Sequence, residues 1–133
     1  MVWAAPHLHR KFQQLKEIYP FKLKVGGIVV RAYADLGVEE FLVMPDERLL
    51  SLCTGKLVTF QEGDEAHFYR ILNCDDMVEE IAKRNCMIAE LKHEEGRFWT
   101  VFANLGDMNE LRCSAPELQE VLLDLLILVC RMK

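Results

Sequence analysis

Five thiols and four imidazoles are the most chemically versatile side chains in this chain of 133 residues. Cys53, Cys74, Cys86, Cys113 and Cys130 could act as nucleophiles, as metal ligands or as a redox pair. Their spacing argues against a locally written metal or redox site. The nearest two, Cys74 and Cys86, stand twelve residues apart, whereas zinc ribbons and redox pairs are written as Cys-x-x-Cys. His7 and His9 are two apart, but a metal site needs further ligands and none follows nearby. No metal and no cofactor is therefore expected. Cys74 precedes a helix start, where the dipole lowers a thiol pKa, while Asp75 and Asp76 push it the other way. A Cys–His dyad needs its members only to meet in space, and nothing in the sequence selects one pair over another.

The carboxylates cluster as Glu39-Glu40, Glu62/Asp64/Glu65, Asp75-Asp76, Glu79-Glu80 and Glu94-Glu95. These stretches read as turns and helix starts, so a solvated surface is expected rather than a general acid–base pair. Gly26-Gly27 lacks the longer glycine pattern of a phosphate loop. Phe98, Trp99 and Phe102 at strand spacing read as core packing rather than base stacking in so acidic a chain. A non-enzymatic protein is the expectation.

Charge offers the other candidate site. The net charge is −5, which argues against a generic nucleic-acid binder. Residues 1–34 hold Arg10, Lys11, Lys16, Lys22, Lys24 and Arg31 against Glu17 alone. That basic quarter could form an anion site, with Lys22, Lys24 and Arg31 as its candidates.

The elements that must position these residues can be read from periodicity. Leu8, Phe12, Leu15 and Ile18 recur at helical spacing between Pro6 and Pro20. Phe21, Leu23 and Val25 alternate with lysines as a strand, Gly26-Gly27 kinks it, and Ile28 to Tyr33 continue it. Val38 to Met44 is a second strand. Arg48 to Cys53 fits a strand or a helical turn, and Leu57 to Phe60 turns through an acidic hairpin into a return strand from Ala66 to Leu72. This gives a meander of three or four strands.

Asp76 and Glu79 form a capping-box signature for a second helix. That helix is expected to run on to about His93, because helix formers dominate residues 87–92; the alternative ends it near Asn85 and makes Cys86 to Lys92 a strand. Arg97 to Leu105 is a strand, with Phe98 to Phe102 aromatic and β-branched, and Glu110 to Cys113 a short return. Ser114 and Glu117 then form a capping box for a last helix that is apolar around most of its girth. Its strongly apolar run is about half of the roughly 20 residues a membrane span needs.

The expected fold is α+β: a single domain over residues 1–133, with one antiparallel sheet, helices packed on it, and the order α-β-β-β(-β)-α-β-β-α. The order, size and acidic charge resemble those of the small secretion chaperones that bind effectors as homodimers. The likeness is one of element order, carried by no motif. The leading functional expectation is a protein–protein interaction module, whether adaptor, chaperone-like or inhibitory, with the homodimer as one working form. Ile127 and Leu128, left over on the polar side of the last helix, and Trp3 are the candidate partner-binding residues. A small-ligand or nucleotide-binding domain using the basic quarter is the alternative. The N-terminus lacks a long apolar run and the cysteine count is odd, so no leader and a reducing, cytoplasmic setting are expected.

Overall fold

The computed structural model describes residues 6–19, 22–33, 37–107 and 109–132. The chain divides into two compact units, Met1–Ile71 and Leu72–Lys133. The α+β class holds, but the strands form two antiparallel sheets instead of one.

The first unit opens with α1 (Pro6–Ile18), whose Leu8, Phe12 and Leu15 are buried at helical spacing. Five strands follow: β1 (Ile28–Tyr33), β2 (Gly37–Met44), β3 (Arg48–Ser51), β4 (Leu57–Thr59) and β5 (Phe68–Ile71). They pair in the order β4-β3-β2-β1-β5. The expected extension of β1 back to Phe21 is not made. Val25 and Gly26 form a turn, closed by Gly27 N–H donating to the Lys24 carbonyl at 2.8 Å, and Phe21 lies outside the described residues. Nor does β5 return beside β4. A 3-10 turn, Asp64–His67, intervenes, and β5 pairs antiparallel with β1. That pairing puts Phe68 on the same face as Val29, Phe41, Val43 and Leu49, where these five form a buried cluster. Phe68 meets Phe41 edge-on, with ring centroids 5.5 Å apart. Aromatic burial here outweighs the local hairpin signal.

The second unit begins with α2 (Cys74–Lys83) and continues through β6 (Cys86–Glu94), β7 (Phe98–Leu105) and β8 (Asn109–Ala115) to α3 (Leu118–Arg131). The longer second helix is overturned. Asn85 takes a left-handed conformation at φ 59 and its N–H donates to the Ala82 carbonyl, which ends α2. Residues 86–94 then pair along β7 through the Glu95-Gly96-Arg97 turn. The Ala, Glu, Leu, Lys and Met that favour helix locally lose to the ladder and to packing against Val101 and Ala103.

The expected helix starts are corrected too. Asn73, rather than Asp76, caps α2: its Oδ1 accepts from the Asp76 N–H at 2.7 Å. Ser114 lies in β8, where its Oγ pairs with Thr100 Oγ1 at 3.0 Å, and α3 starts from Glu117 with no side-chain cap. Thr100 is fully buried, so the serine answers a buried hydroxyl in the sheet. No described helix is long and apolar enough to cross a membrane.

Candidate functional site

Two places in the molecule gather chemistry, one in each unit. In the first unit, β5 begins at Phe68, opposite Arg31 of β1. Ala32 and Tyr33 therefore run past the end of β5. A depression of about 420 Å3 forms there, lined by Gln13 and Lys16 of α1, Arg31, Ala32 and Tyr33 of β1, Ala66 and His67 of the 3-10 turn, and Tyr69 of β5. Gln13 and Lys16 stand three apart and so share a helix face. Lys16 Nζ donates to the Ala66 carbonyl at 2.9 Å. Arg31 lies over the Tyr33 ring, 5.3 Å from its centroid, a cation–π arrangement.

Arg31 faces Glu39 in the β1–β2 register, yet makes no ion pair among the described residues. Glu39 is committed to other donors. Tyr33 Oη donates to its Oε1 at 2.8 Å and Ser51 Oγ to its Oε2 at 2.6 Å. The Tyr33–Glu39 bond pushes the Tyr33 phenol pKa up.

Behind one wall of the depression is a buried polar row. Glu40, Val30 and Tyr69 lie side by side across β2, β1 and β5 on the face that carries α1. His9 of α1 reaches down to this row, with Nδ1 2.7 Å from Tyr69 Oη. Burial pushes the Tyr69 phenol pKa up to about 12, with Glu40 adding to the rise, so this hydroxyl keeps its proton at neutral pH. Burial also lowers the His9 pKa against the pull of Glu40. His9 Nε2 is buried with no hydrogen-bond partner among the described residues.

The second unit offers an apolar edge. β6 is the outer strand of a sheet ordered β6-β7-β8, and no described strand pairs with its far side. Met87 is 72% exposed and Leu91 39%. Beside the start of β6, a cleft of about 470 Å3 is lined chiefly by Val78, Ile81 and Ala82 of α2 with Met87 and Ile88. On the outer face of the same sheet, Phe102 lies between Lys92 and Arg112, 5.4 and 5.6 Å from its centroid.

The sequence-derived candidates fall unevenly on this map. Arg31 lines the depression, but Lys22 and Lys24 do not, and Lys16 and His67 take their place. Lys16 belonged to the basic quarter, while His67 read as a sheet residue. Ile127 is only 7% exposed and Leu128 is half-buried, so neither leaves a large apolar surface on α3. Trp3 lies outside the described residues. Exposed Met87 was hidden from the sequence by its expected place in a helix. Cys74 opens α2 with its pKa raised, by burial first and Asp75 second. His93 lies on β6, stacked on Trp99 with centroids 4.6 Å apart, and not at a helix end. None of the five cysteines is in a disulfide, and among the described residues no three His, Cys, Asp or Glu side chains gather as a metal site.

Comparison of the chain with protein-family models, with curated proteins and with solved structures gives no match.

Proposed function

We propose that the chain is a non-enzymatic protein-interaction module of the adaptor or chaperone-like kind, and that it works as a homodimer joined along β6. The observation that carries this reading is the open edge of β6. It is nine residues long, it exposes Met87 and Leu91, and its charges are self-complementary. A second copy laid antiparallel with Leu91 opposite Leu91 sets each Glu90 against the other copy's Lys92. Opposite charges directly across a strand pair contribute roughly 0.2–1 kcal/mol each. Unpaired N–H and C=O groups along an edge supply the ladder. Each apolar side chain buried at the seam adds about 1.5–3 kcal/mol before association costs. Free thiols in the chain suit a reducing, cytoplasmic setting.

Sedimentation equilibrium tests the reading. The wild type is expected to be a dimer. Glu90→Lys and Lys92→Glu, taken singly, replace two attractions with two repulsions and are expected to weaken the dimer about tenfold or more. The double variant restores the pairing and the affinity. A wild-type monomer at the highest soluble concentration, or a double variant no tighter than the singles, overturns it.

A further inference from the structure

We propose that the open edge of β4 in the first unit takes an extended segment of another protein as a further strand, with apolar side chains at two successive positions and a carboxylate on each flank. This edge is separate from β6 and does not depend on the dimer. β4 (Leu57–Thr59) ends the order β4-β3-β2-β1-β5, and no described strand pairs with its far side. Its open backbone groups can be named. Ser51 N–H donates to the Lys56 carbonyl at 2.9 Å, and Phe60 N–H to the Glu47 carbonyl at 2.7 Å. Residues 56 and 60 therefore bond inward, to the β3 side. In an antiparallel ladder inward-bonding residues alternate with outward ones. Val58 thus bonds to β3 as well, while Leu57 and Thr59 point their N–H and C=O groups away from the sheet. No described residue bonds those groups.

The side chains say what kind of strand fits. Register places Leu57 beside Leu50, Leu50 beside Leu42, Leu42 beside Ile28 and Ile28 beside Ile71. They form one apolar row across five strands, buried at Ile71 and Ile28 and open at Leu57, which is 52% exposed. An apolar residue opposite Leu57 extends that row by one strand. On the other face Val58 pairs with buried Leu49 and is itself 43% exposed, so the next position is apolar too. Charge sets the flanks. Lys56, just before β4, is exposed and makes no ion pair among the described residues. Arg48 lies opposite Thr59, and its ion pair with Asp46 is a 3.9 Å contact at the surface. Carboxylates opposite Lys56 and Thr59 answer both cations. Two three-residue strands meeting edge to edge cover far less than the roughly 800 Å2 per partner of a stable interface between folded proteins. The edge therefore suits a linear segment rather than a second copy of the chain.

The test is NMR titration of the intact chain with the probe acetyl-Thr-Glu-Val-Val-Glu-Thr-amide, and with a control peptide in which both glutamates are lysines, at constant ionic strength. Saturable shifts centred on β4 are expected. The Leu57 and Thr59 amide protons should move downfield, as N–H groups that gain a hydrogen bond do, and that of Val58 should move less. The lysine control is expected to bind about tenfold or more weakly, because two cross-strand attractions become repulsions. Thr59→Pro is expected to keep the wild-type melting temperature, since proline is tolerated where an edge N–H faces solvent, and to bind the probe about tenfold or more weakly. Lys56→Glu leaves every backbone bond in place and should weaken the acidic probe about twofold to fivefold, so the test stands even if the proline variant does not fold. Glu90→Lys should bind the probe as the wild type does, which separates this edge from β6. Linear shifts, shifts centred on β6, loss of binding in Glu90→Lys or equal binding of the two peptides overturn the proposal. So does a folded Thr59→Pro or Lys56→Glu variant that binds as the wild type does. A fall in sedimented mass on Thr59→Pro would make the edge a seam between copies and overturn it as well.

Discussion

The apolar side of α3 in the second unit and the His9 row in the first are cores of different kinds. In the second, α3 carries Val121, Leu122, Leu123, Leu125, Leu126 and Val129 at 2% exposure or less, and the buried Thr100 hydroxyl meets that of exposed Ser114, a pair that does not titrate near neutral pH. In the first, His9, Glu40 and Tyr69 sit within the same core that holds Leu8, Phe12 and Val30. Hydrocarbon packing depends on volume and is indifferent to protons. A buried imidazole beside a carboxylate and a phenol depends on protonation and direction. The α3 hydrocarbon should answer to cavities and the His9 row to pH.

The largest effect expected is a cavity. Leu125 is fully buried on α3, and Leu125→Ala should cost about 2–5 kcal/mol of stability. Urea unfolding followed at Trp99 measures it. The contrast between the units requires the loss to be the same at pH 7.5 and pH 5.5. A loss that shrinks or grows across that range would mean that the α3 core is coupled to a titrating group, and the contrast would fail.

The pH term belongs to His9. Burial holds its folded pKa below the ordinary 6.5. Between that lowered value and 6.5 the unfolded chain binds a proton that the folded chain refuses. Stability from this group is therefore complete above about pH 6.5 and is lost as pH falls toward the folded value. The slope cannot exceed about 1.4 kcal/mol per pH unit, the figure for one proton. His9→Gln keeps a polar group beside Tyr69 but cannot titrate, so its stability should be flatter between pH 6.5 and 5. An unchanged slope in His9→Gln would move the pH dependence to another group.

The legible parts of the fold are those whose own residues decide their state. α3 is written by Leu122, Leu125, Leu126 and Val129, and β7 by Phe98 to Phe102, because apolar periodicity and β-branched or aromatic packing coincide there. β1 and β2 are legible as strands from the runs Ile28-Val29-Val30 and Phe41-Leu42-Val43, which pair in the fold. What was not legible depends on partners distant in sequence. Residues 87–92 are good helix formers, and only β7 makes them a strand. β5 joins β1 because Phe68 reaches the Phe41 cluster, a fact no local turn signal contains. The anion candidates show the same limit. Arg31 could be named from the sequence, but its neighbours Lys16 and His67 come from a helix and a 3-10 turn that only the β1–β5 pairing brings together.

Helix caps test that lesson on a smaller scale. Asn73 Oδ1 holds the Asp76 N–H at the start of α2, so Asn73→Ala should cost about 1 kcal/mol, read by urea unfolding. Asp76→Ala, at the position the sequence favoured as cap, keeps that backbone bond and should cost less. An Asp76→Ala loss equal to or above that of Asn73→Ala would return the cap to Asp76.

Ser114 gives the finest discrimination, because the sequence and the fold assign its hydroxyl to different partners. A cap on α3 would be lost in Ser114→Ala whatever happened elsewhere. In the fold, Ser114 Oγ meets Thr100 Oγ1 at 3.0 Å, and Thr100 is fully buried. Removing the serine oxygen strands a buried hydroxyl, at a cost of about 1 kcal/mol. Removing both hydroxyls together strands nothing, so the Ser114→Ala/Thr100→Val pair should be close to wild type in stability. Recovery in the double variant is a signature that a helix cap cannot produce. It would show that the Ser114 hydroxyl serves the buried Thr100 hydroxyl within the sheet. Additive losses would instead give Ser114 back to the helix and remove the sheet's claim on it.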